Sequence, residues 1–165
     1  MNAQLHDSAN LASADGALAR LIARMRAEIP LAAAMDLQPG ARAHGMLGLR
    51  APLAPNINDK GCAFGGSLAS LLTLAGWALV ELELEARGLH CEVFVQDSTL
   101  RYVAPVWGEL HAVAQLDEGQ HWDDFFATLA ARGKARLQIR ASAESAGEPA
   151  TLLQARYVAR LPRST

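Results

Sequence analysis

Cysteine and aromatic residues are scarce in this chain of 165 residues, and neither sign of charge dominates. Its two cysteines, Cys62 and Cys91, are too few for a disulfide framework, and they do not form a metal-binding pair. The formal net charge of -2 lacks the basic excess that is typical of nucleic-acid-binding proteins. The five histidines are scattered along the chain, so we expect no metal site.

Long apolar runs and a secretory signal are absent as well. No segment reaches the roughly 18 consecutive apolar residues expected of a membrane span. The run at 68–80 is too short, and it is interrupted by Ser70 and Thr73. The first 15 residues lack a basic stretch followed by an apolar one, so no signal peptide is predicted. The simplest interpretation of the two cysteines is that they are small buried thiols. Free thiols are typical of a reducing compartment, so the sequence favours a cytoplasmic location.

A long apolar helix and a series of strands are what the sequence does contain. Residues 16–28 repeat apolar side chains at helical spacing, and Pro30 is expected to end that helix. Residues 67–86 are apolar on nearly every face, so the rest of the fold must enclose them. A short helix is predicted from Trp122 to a stop at Gly133. Strands are predicted at 33–37, 44–53, 92–103, 108–116, 134–143 and 151–161.

This order of elements predicts an α+β fold. Strands that follow one another favour an antiparallel sheet, and a single apolar helix needs a sheet to cover it. One sheet cannot cover a helix that is apolar all round, so we expect the chain to form at least a homodimer. Residues 15–165 are predicted to form one domain, which is long enough for a sizeable core, and residues 1–14 a flexible leader.

The polar loop that enters the apolar helix holds the candidate site. It runs from Asn56 through Asn58 and Gly61 to Phe64-Gly65-Gly66-Ser67. The first turn of a helix has free N–H groups and the positive end of the helix dipole, which together favour an oxygen that becomes negatively charged. The backbone N–H groups at 65–67 and the side chain of Asn58 are the candidate donors.

Each loop residue also has a simpler interpretation. Asn56 and Asn58 are of the type that satisfies backbone groups in turns. Gly65 and Gly66 allow close packing of helix on sheet, and Ser67 suits an N-cap or first-turn position. A nucleophilic role for a serine or cysteine here is disfavoured, because no histidine is near in sequence to act as its base.

These residues resemble the hotdog-fold thioesterase superfamily over roughly residues 20–160. The resemblance is carried by Asn58-x-x-Gly61-x-x-Phe64-Gly65-Gly66 and by Asp97-Ser-Thr-Leu-Arg-Tyr102-Val-Ala-Pro105-Val-Trp-Gly108. The loop is similar, more narrowly, to thioesterase domains of the YiiD C-terminal type. The resemblance implies a curved antiparallel sheet wrapped around a central helix, and paired subunits. It also implies acyl-thioester substrates carried on coenzyme A or on the phosphopantetheine of an acyl carrier protein, with no separate cofactor.

The resemblance also implies a set of site residues. The catalytic candidates are Asn58, Gly66, Ser67 and Asp97. The candidates for substrate contact are Asn56, Gly61, Phe64, Gly65, Thr73, Arg136 and Arg140.

The sequence departs from the hydrolytic branch of the superfamily at two positions. Phe64 stands where those enzymes carry histidine, and Thr73 stands where they carry an acidic residue. Both changes remove groups that help to activate water, which puts simple hydrolysis in doubt. Asp59 and Asp97 remain as acids near the site in sequence. A catalytic and a structural role for Asp97 both stay open, the former by approach from the partner subunit.

Three functions therefore remain. The first is decarboxylation of malonyl-acyl carrier protein for fatty-acid synthesis initiation, which is associated with one branch of the narrower family and needs oxyanion donors but no base. The second is hydrolysis of an acyl-CoA or acyl-carrier-protein thioester, and the third is a non-catalytic acyl-thioester binding module. Arg136 and Arg140 fit either an ordinary solvated face or a contact with the phosphopantetheine phosphate or an acidic carrier protein.

Overall fold

The structure is a computed structural model that describes residues 16–43 and 45–162. The leader predicted at 1–14 lies outside the described residues. Helix α1 covers 16–28, and it buries an apolar stripe that includes Leu18, Leu21 and Met25. The helical spacing of these side chains is what the sequence predicted.

The strand predicted at 33–37 is wrong. Helix α2, Pro30–Ala34, occupies this segment and is followed by a turn in which Asp36 has a φ of 53°. Pro30 stands in the first turn of α2, where its missing N–H costs nothing because a first-turn N–H has no intrahelical acceptor. Pro30 therefore separates two helices and begins the second.

Six strands form one antiparallel sheet in the order β1-β2-β4-β5-β6-β3. Strand β1 was not predicted, because its Pro-Gly pair indicated a turn. The chain accommodates that pair with a bulge between Pro39 and Arg42, where Gly40 and the facing Gly48 approach too closely for a side chain. The strands are β1 Gln38–Ala43, β2 Met46–Ala51, β3 Glu92–Tyr102, β4 Leu110–Leu116, β5 Lys134–Ser145 and β6 Glu148–Arg160.

A 3-10 turn, Ala54–Asn56, and an irregular loop lead from β2 to α3, Gly65–Glu85. This helix packs on one face of the curved sheet and contacts β2 to β6. It is long and apolar enough to cross a membrane by length and composition, but more than half of its most apolar window is buried against the sheet, as in a core helix. Helix α4, Trp122–Arg132, ends at Gly133, which adopts the left-handed conformation. The predicted α+β class is confirmed.

A buried tyrosine ties the middle of α3 to the sheet. Tyr157 of β6 is fully buried, and its hydroxyl donates a hydrogen bond of 2.8 Å to the carbonyl oxygen of Thr73. The space for this hydroxyl exists because residue 76 is glycine. Burial raises the pKa of the Tyr157 phenol, so it stays a neutral donor.

Candidate functional site

Asn56 anchors the base of the loop that precedes α3. Its side chain is buried, and Nδ2 donates to the carbonyl oxygens of Met35 and Pro52 at 2.9 and 2.8 Å. Its own carbonyl accepts the N–H of Phe64 at 2.7 Å. Both side-chain N–H groups are thus occupied by the protein. The expected substrate contact through these N–H groups is not available, and Asn56 holds the loop in place instead.

Asn58 organises the tip of the same loop. Its Oδ1 accepts the backbone N–H groups of Lys60 at 2.8 Å and of Cys62 at 3.2 Å. Its Nδ2 donates to Cys62 Sγ at 3.2 Å and lies 3.5 Å from the carbonyl oxygen of Ala63. The second of these contacts is at the limit of a hydrogen bond, so one N–H of Asn58 can be given to another acceptor at little cost.

Gly61 serves the backbone of this turn. Its φ is +85°, a conformation that L side chains rarely adopt, and its N–H donates to the carbonyl oxygen of Asn58 at 3.2 Å. No heavy atom lies within 4 Å of where a Cβ would stand. The glycine is required by the turn, and a role in substrate contact remains a prediction.

The start of α3 leaves three backbone donors without a partner. Phe64 is the N-cap residue, and no side chain caps the helix. Among the described residues, the N–H groups of Gly65, Gly66 and Ser67 have no acceptor. The helix begins two residues earlier than predicted, so Ser67 lies in its first turn. This is one of the two positions expected for it.

Two aromatic rings flank these donors, and each explains a glycine. A Cβ on Gly66 would lie 2.3 Å from the ring of Phe64, which folds back over the helix start. A Cβ on Gly65 would lie 3.3 Å from the ring of Tyr102, whose hydroxyl donates to the Gly65 carbonyl at 2.8 Å. The pair of glycines therefore lets two rings approach the helix terminus from β3 and from the loop.

A cavity of about 310 Å³ opens beside this helix terminus. Its walls are apolar apart from the phenol of Tyr102, and they include no carboxylate, imidazole or thiol. Sequence reasoning did not assign Tyr102 or its neighbours to the site, although they lie in the second stretch that carries the family resemblance. A tyrosine near the end of a predicted strand, followed two residues later by Ala104-Pro105, was the available signal. The lining residues are Ala63, Gly65, Leu68, Tyr102, Val103, Ala104 and Pro105.

The candidate acids lie away from this cavity. Asp97 pairs in register with Arg156, whose neighbours in β6 are the buried Ala155 and Tyr157, so Asp97 is on the face of the sheet opposite α3. Its carboxylate lies 3.5 Å from the Arg156 guanidinium. This position supports the structural interpretation of Asp97 within one protomer. Asp59 is exposed and pairs with the adjacent Lys60 at 2.8 Å.

One acid with a raised pKa lies at the other end of α3. Burial raises the pKa of Glu81, and the Arg24 guanidinium, 2.7 Å away, partly opposes that rise. At 1.5 Å per residue, Glu81 is about 24 Å from the start of the helix. It cannot act on a group bound at the first turn.

Thr73 and the two arginines complete the predicted set. Thr73 is half-buried about two turns into α3, on the side of the helix that the protomer's own sheet leaves partly open. Arg136 and Arg140 are exposed on the outer face of β5, opposite to the cavity side. Arg136 Nε donates to Gln96 Oε1 at 2.8 Å, and Arg140 lies 3.5 Å from Glu118.

Comparison with known proteins agrees with this geometry. The family model described as "Putative thioesterase (yiiD_Cterm)" matches residues 18–161. The chain belongs to this family. A crystal structure of a protein of unknown function from Chlorobaculum tepidum TLS is similar at 27% identity, with a TM-score of 0.85, over 90% of this chain and 96% of that one.

Two further solved structures carry thioesterase descriptions. A putative thioesterase from Shewanella oneidensis matches at 28% identity and a TM-score of 0.80, over 90% of this chain and 99% of that one. A protein from Pseudomonas aeruginosa described as a probable thioesterase matches at 26% identity and a TM-score of 0.71, over 86% of this chain and 94% of that one. The predicted membership of the hotdog thioesterase superfamily and its YiiD C-terminal family is confirmed.

Proposed function

We propose that this member of the thioesterase family decarboxylates malonyl-acyl carrier protein to acetyl-acyl carrier protein. The observation that carries the proposal is an imbalance in the cavity. The first turn of α3 beside it offers free backbone donors for an oxyanion, and none of the described residues of the wall can take a proton from water. Decarboxylation needs the first of these and not the second.

The reaction can be followed atom by atom. The bond between the carboxylate carbon and the methylene carbon breaks, its electron pair moves into the thioester group, and carbon dioxide leaves. The thioester oxygen becomes an enolate oxygen, and the methylene carbon then takes a proton from water. Donors fixed before the reaction, namely the N–H groups at the start of α3 and one N–H of Asn58, stabilise this oxygen. The apolar walls disfavour the charged carboxylate and favour its loss as a neutral gas.

Hydrolysis is the second candidate, and the family description favours it. Hydrolysis requires a base that the described cavity wall lacks, so the base would have to come from a partner subunit or from the carrier. The two reactions differ in their products. Incubation with malonyl- and acetyl-loaded carrier protein, followed by intact-mass analysis, is expected to show loss of carbon dioxide with the thioester retained. Release of the free carrier thiol would establish hydrolysis instead, and unchanged mass would support a binding module.

The proposed active form is a homodimer joined along β3. Strand β3 pairs with β6 on one side, and its other edge has no strand partner among the described residues. Exposed apolar side chains follow this edge and the segment after it, and such patches mark association surfaces. They are Phe94, Val95, Tyr102, Val103 and Trp107. A second copy paired antiparallel would place the beginning of its β3 beside the cavity.

Replacing Val95 by glutamate is expected to produce a monomer and to abolish turnover. The new charges would be buried without partners in the paired edge. Val113→Glu is the matched control, because Val113 has the same exposure of 39% but lies in β4, inside the sheet and away from the edge. Light scattering coupled to gel filtration checks the mass. A wild-type chain that elutes as a monomer with full activity would contradict the proposed dimer.

Arg136 and Arg140 are proposed to receive the phosphate of phosphopantetheine or an acidic carrier protein. Arg136 and Phe94 share the register partner Val158, so in the proposed dimer Arg136 stands level with the cavity of the other protomer along the strands, on the outer face of the sheet. Charge reversal at both arginines is expected to raise KM for carrier-bound substrate while kcat stays within a factor of about two, because the reacting atoms are untouched. Steady-state kinetics with carrier-bound and pantetheine-bound malonate measure the effect. An unchanged KM would favour the solvated-face interpretation.

A further inference from the structure

Tyr102 lies on the exposed edge of β3, and its hydroxyl group also borders the cavity beside α3. Its hydroxyl lies 2.8 Å from the carbonyl oxygen of Gly65, so the phenol stands beside the first turn of α3. More than half of its surface is exposed, and it contributes the polar group of an otherwise apolar cavity wall.

The hydrogen bond to Gly65 can be exchanged without cost to the fold. A helix carbonyl accepts the N–H four residues further along, so the Gly65 oxygen keeps a partner when the phenol leaves. The hydroxyl faces the cavity rather than the core, so neither partner becomes a buried unsatisfied group. The hydroxyl of Tyr157 differs in this respect, because it is fully buried and donates to the Thr73 carbonyl in the core.

The surrounding groups define what the phenol faces. On the same turn, the N–H groups of Gly65, Gly66 and Ser67 have no acceptor among the described residues. An oxygen bound by those N–H groups comes within reach of the Tyr102 hydroxyl after a small rotation of the ring. The site then has a side-chain donor and backbone donors aimed at one oxygen, which is the arrangement that stabilises developing negative charge.

We propose that Tyr102 is a catalytic residue that donates a hydrogen bond to the substrate's thioester oxygen as that oxygen becomes negative. This inference rests on the proposed acyl-thioester function, but it does not depend on which reaction follows. In decarboxylation the oxygen carries the enolate charge after the carboxylate carbon departs. In hydrolysis the same oxygen carries the charge of the tetrahedral intermediate. The phenol keeps its proton throughout and acts as a donor.

The test compares Tyr102→Phe with the wild-type protein in turnover and in binding. Turnover of malonyl-carrier protein is expected to fall about 10²-fold in kcat with KM little changed, since one oxyanion donor is removed. Binding is measured by calorimetry with two pantetheine thioester analogues. One carries a nitroacetyl group, whose nitronate form mimics the enolate, and the other carries a neutral acetyl group on an oxoester.

The expected result is a loss of affinity of about tenfold or more for the nitronate analogue and no loss for the neutral one. Thr99→Val is the matched control, because it removes a hydroxyl from the same strand on the outer face of the sheet. Its kcat and both affinities are expected to equal those of the wild type.

The outcomes distinguish a failure of the proposed function from a failure of the role proposed for Tyr102. If the wild type turns over neither malonyl- nor acetyl-loaded carrier protein, the proposed function fails. The affinity for the nitronate analogue then decides by itself whether Tyr102 binds the negative oxygen. Equal kcat in Tyr102→Phe and wild type overturns the catalytic role, as does an equal loss of affinity for both analogues, which would indicate a structural contact.

Discussion

Asn58→Ala is expected to lower turnover by about 10²-fold, a barrier increase on the order of 3 kcal/mol, while the protein stays folded. The physical reason is the loss of one preorganised donor. Nδ2 of Asn58 donates to Cys62 Sγ, a weak acceptor, at 3.2 Å, and its second contact, to the Ala63 carbonyl, is 3.5 Å long. The N–H that makes the longer contact is the one available to a substrate oxygen.

Alanine removes the loop's own hydrogen bonds as well, so a second variant is needed. Asn58→Asp keeps an oxygen that can accept the N–H groups of Lys60 and Cys62, but it has no N–H to donate. It is expected to lose at least as much turnover as alanine, because its charge also repels the enolate. Asp59→Asn makes the opposite change at the next, exposed residue and is expected to retain full turnover.

Turnover and thermal unfolding should be measured on all three variants. Wild-type turnover in both Asn58 variants would remove Asn58 from the catalytic set. A drop in turnover that follows a drop in melting temperature would assign Asn58 to the structure of the loop alone.

Gly76→Ala is expected to lower the free energy of unfolding by about 3 kcal/mol, within the range for overpacking a well-filled core. A Cβ at position 76 would stand 2.3 Å from the hydroxyl oxygen of Tyr157 and 2.7 Å from the ring carbon that bears it. The ring cannot move aside, because Tyr157 is fully buried. Its hydrogen bond to the Thr73 carbonyl would be lost in any displacement, which adds roughly 1 kcal/mol.

Urea denaturation with a matched glycine measures this effect. Gly108→Ala is the control, because no atom lies within 4 Å of its Cβ position and its backbone is not in the left-handed region. The double variant Gly76→Ala/Tyr157→Phe removes the closest contact. Its loss of unfolding free energy is expected to be smaller than the sum of the losses in the two single variants. Strict additivity, or a Gly76→Ala midpoint equal to that of Gly108→Ala, would contradict the packing explanation.

The sequence identified the elements whose periodicity is strong and failed where local and tertiary preferences differ. The stripe in α1, the apolar helix and the alternation in β5 all agree with the structure. Strand β1 was missed because Pro39 and Gly40 favour a turn locally, whereas pairing with β2 extends them in a bulged strand. The segment at 33–37 was taken for a strand because short apolar runs have no distinctive period, and Pro30 fixes it as a helix start.

The candidate site also has features that the sequence could predict and features that it could not. The loop sequence shows that donors gather at the start of α3, because free N–H groups are a property of any helix beginning. It could not show that Asn56 points inward, since that depends on carbonyls of Met35 and Pro52 that come together only in the folded chain. Nor could it show that the register of β3 on β6 turns Asp97 to the outer face and brings Tyr102 to Gly65.

The sequence by itself determined the class of the fold, which follows from local periodicity, and the family, which follows from the resemblance of two short stretches. It also indicated one contiguous loop as the candidate site. Only the tertiary structure decided which side chains of that neighbourhood line the cavity beside α3. Strand register alternates side chains between the two faces of a sheet, and a shift of one residue moves each of them to the other face. That register places a phenol, and no carboxylate, at the cavity beside α3.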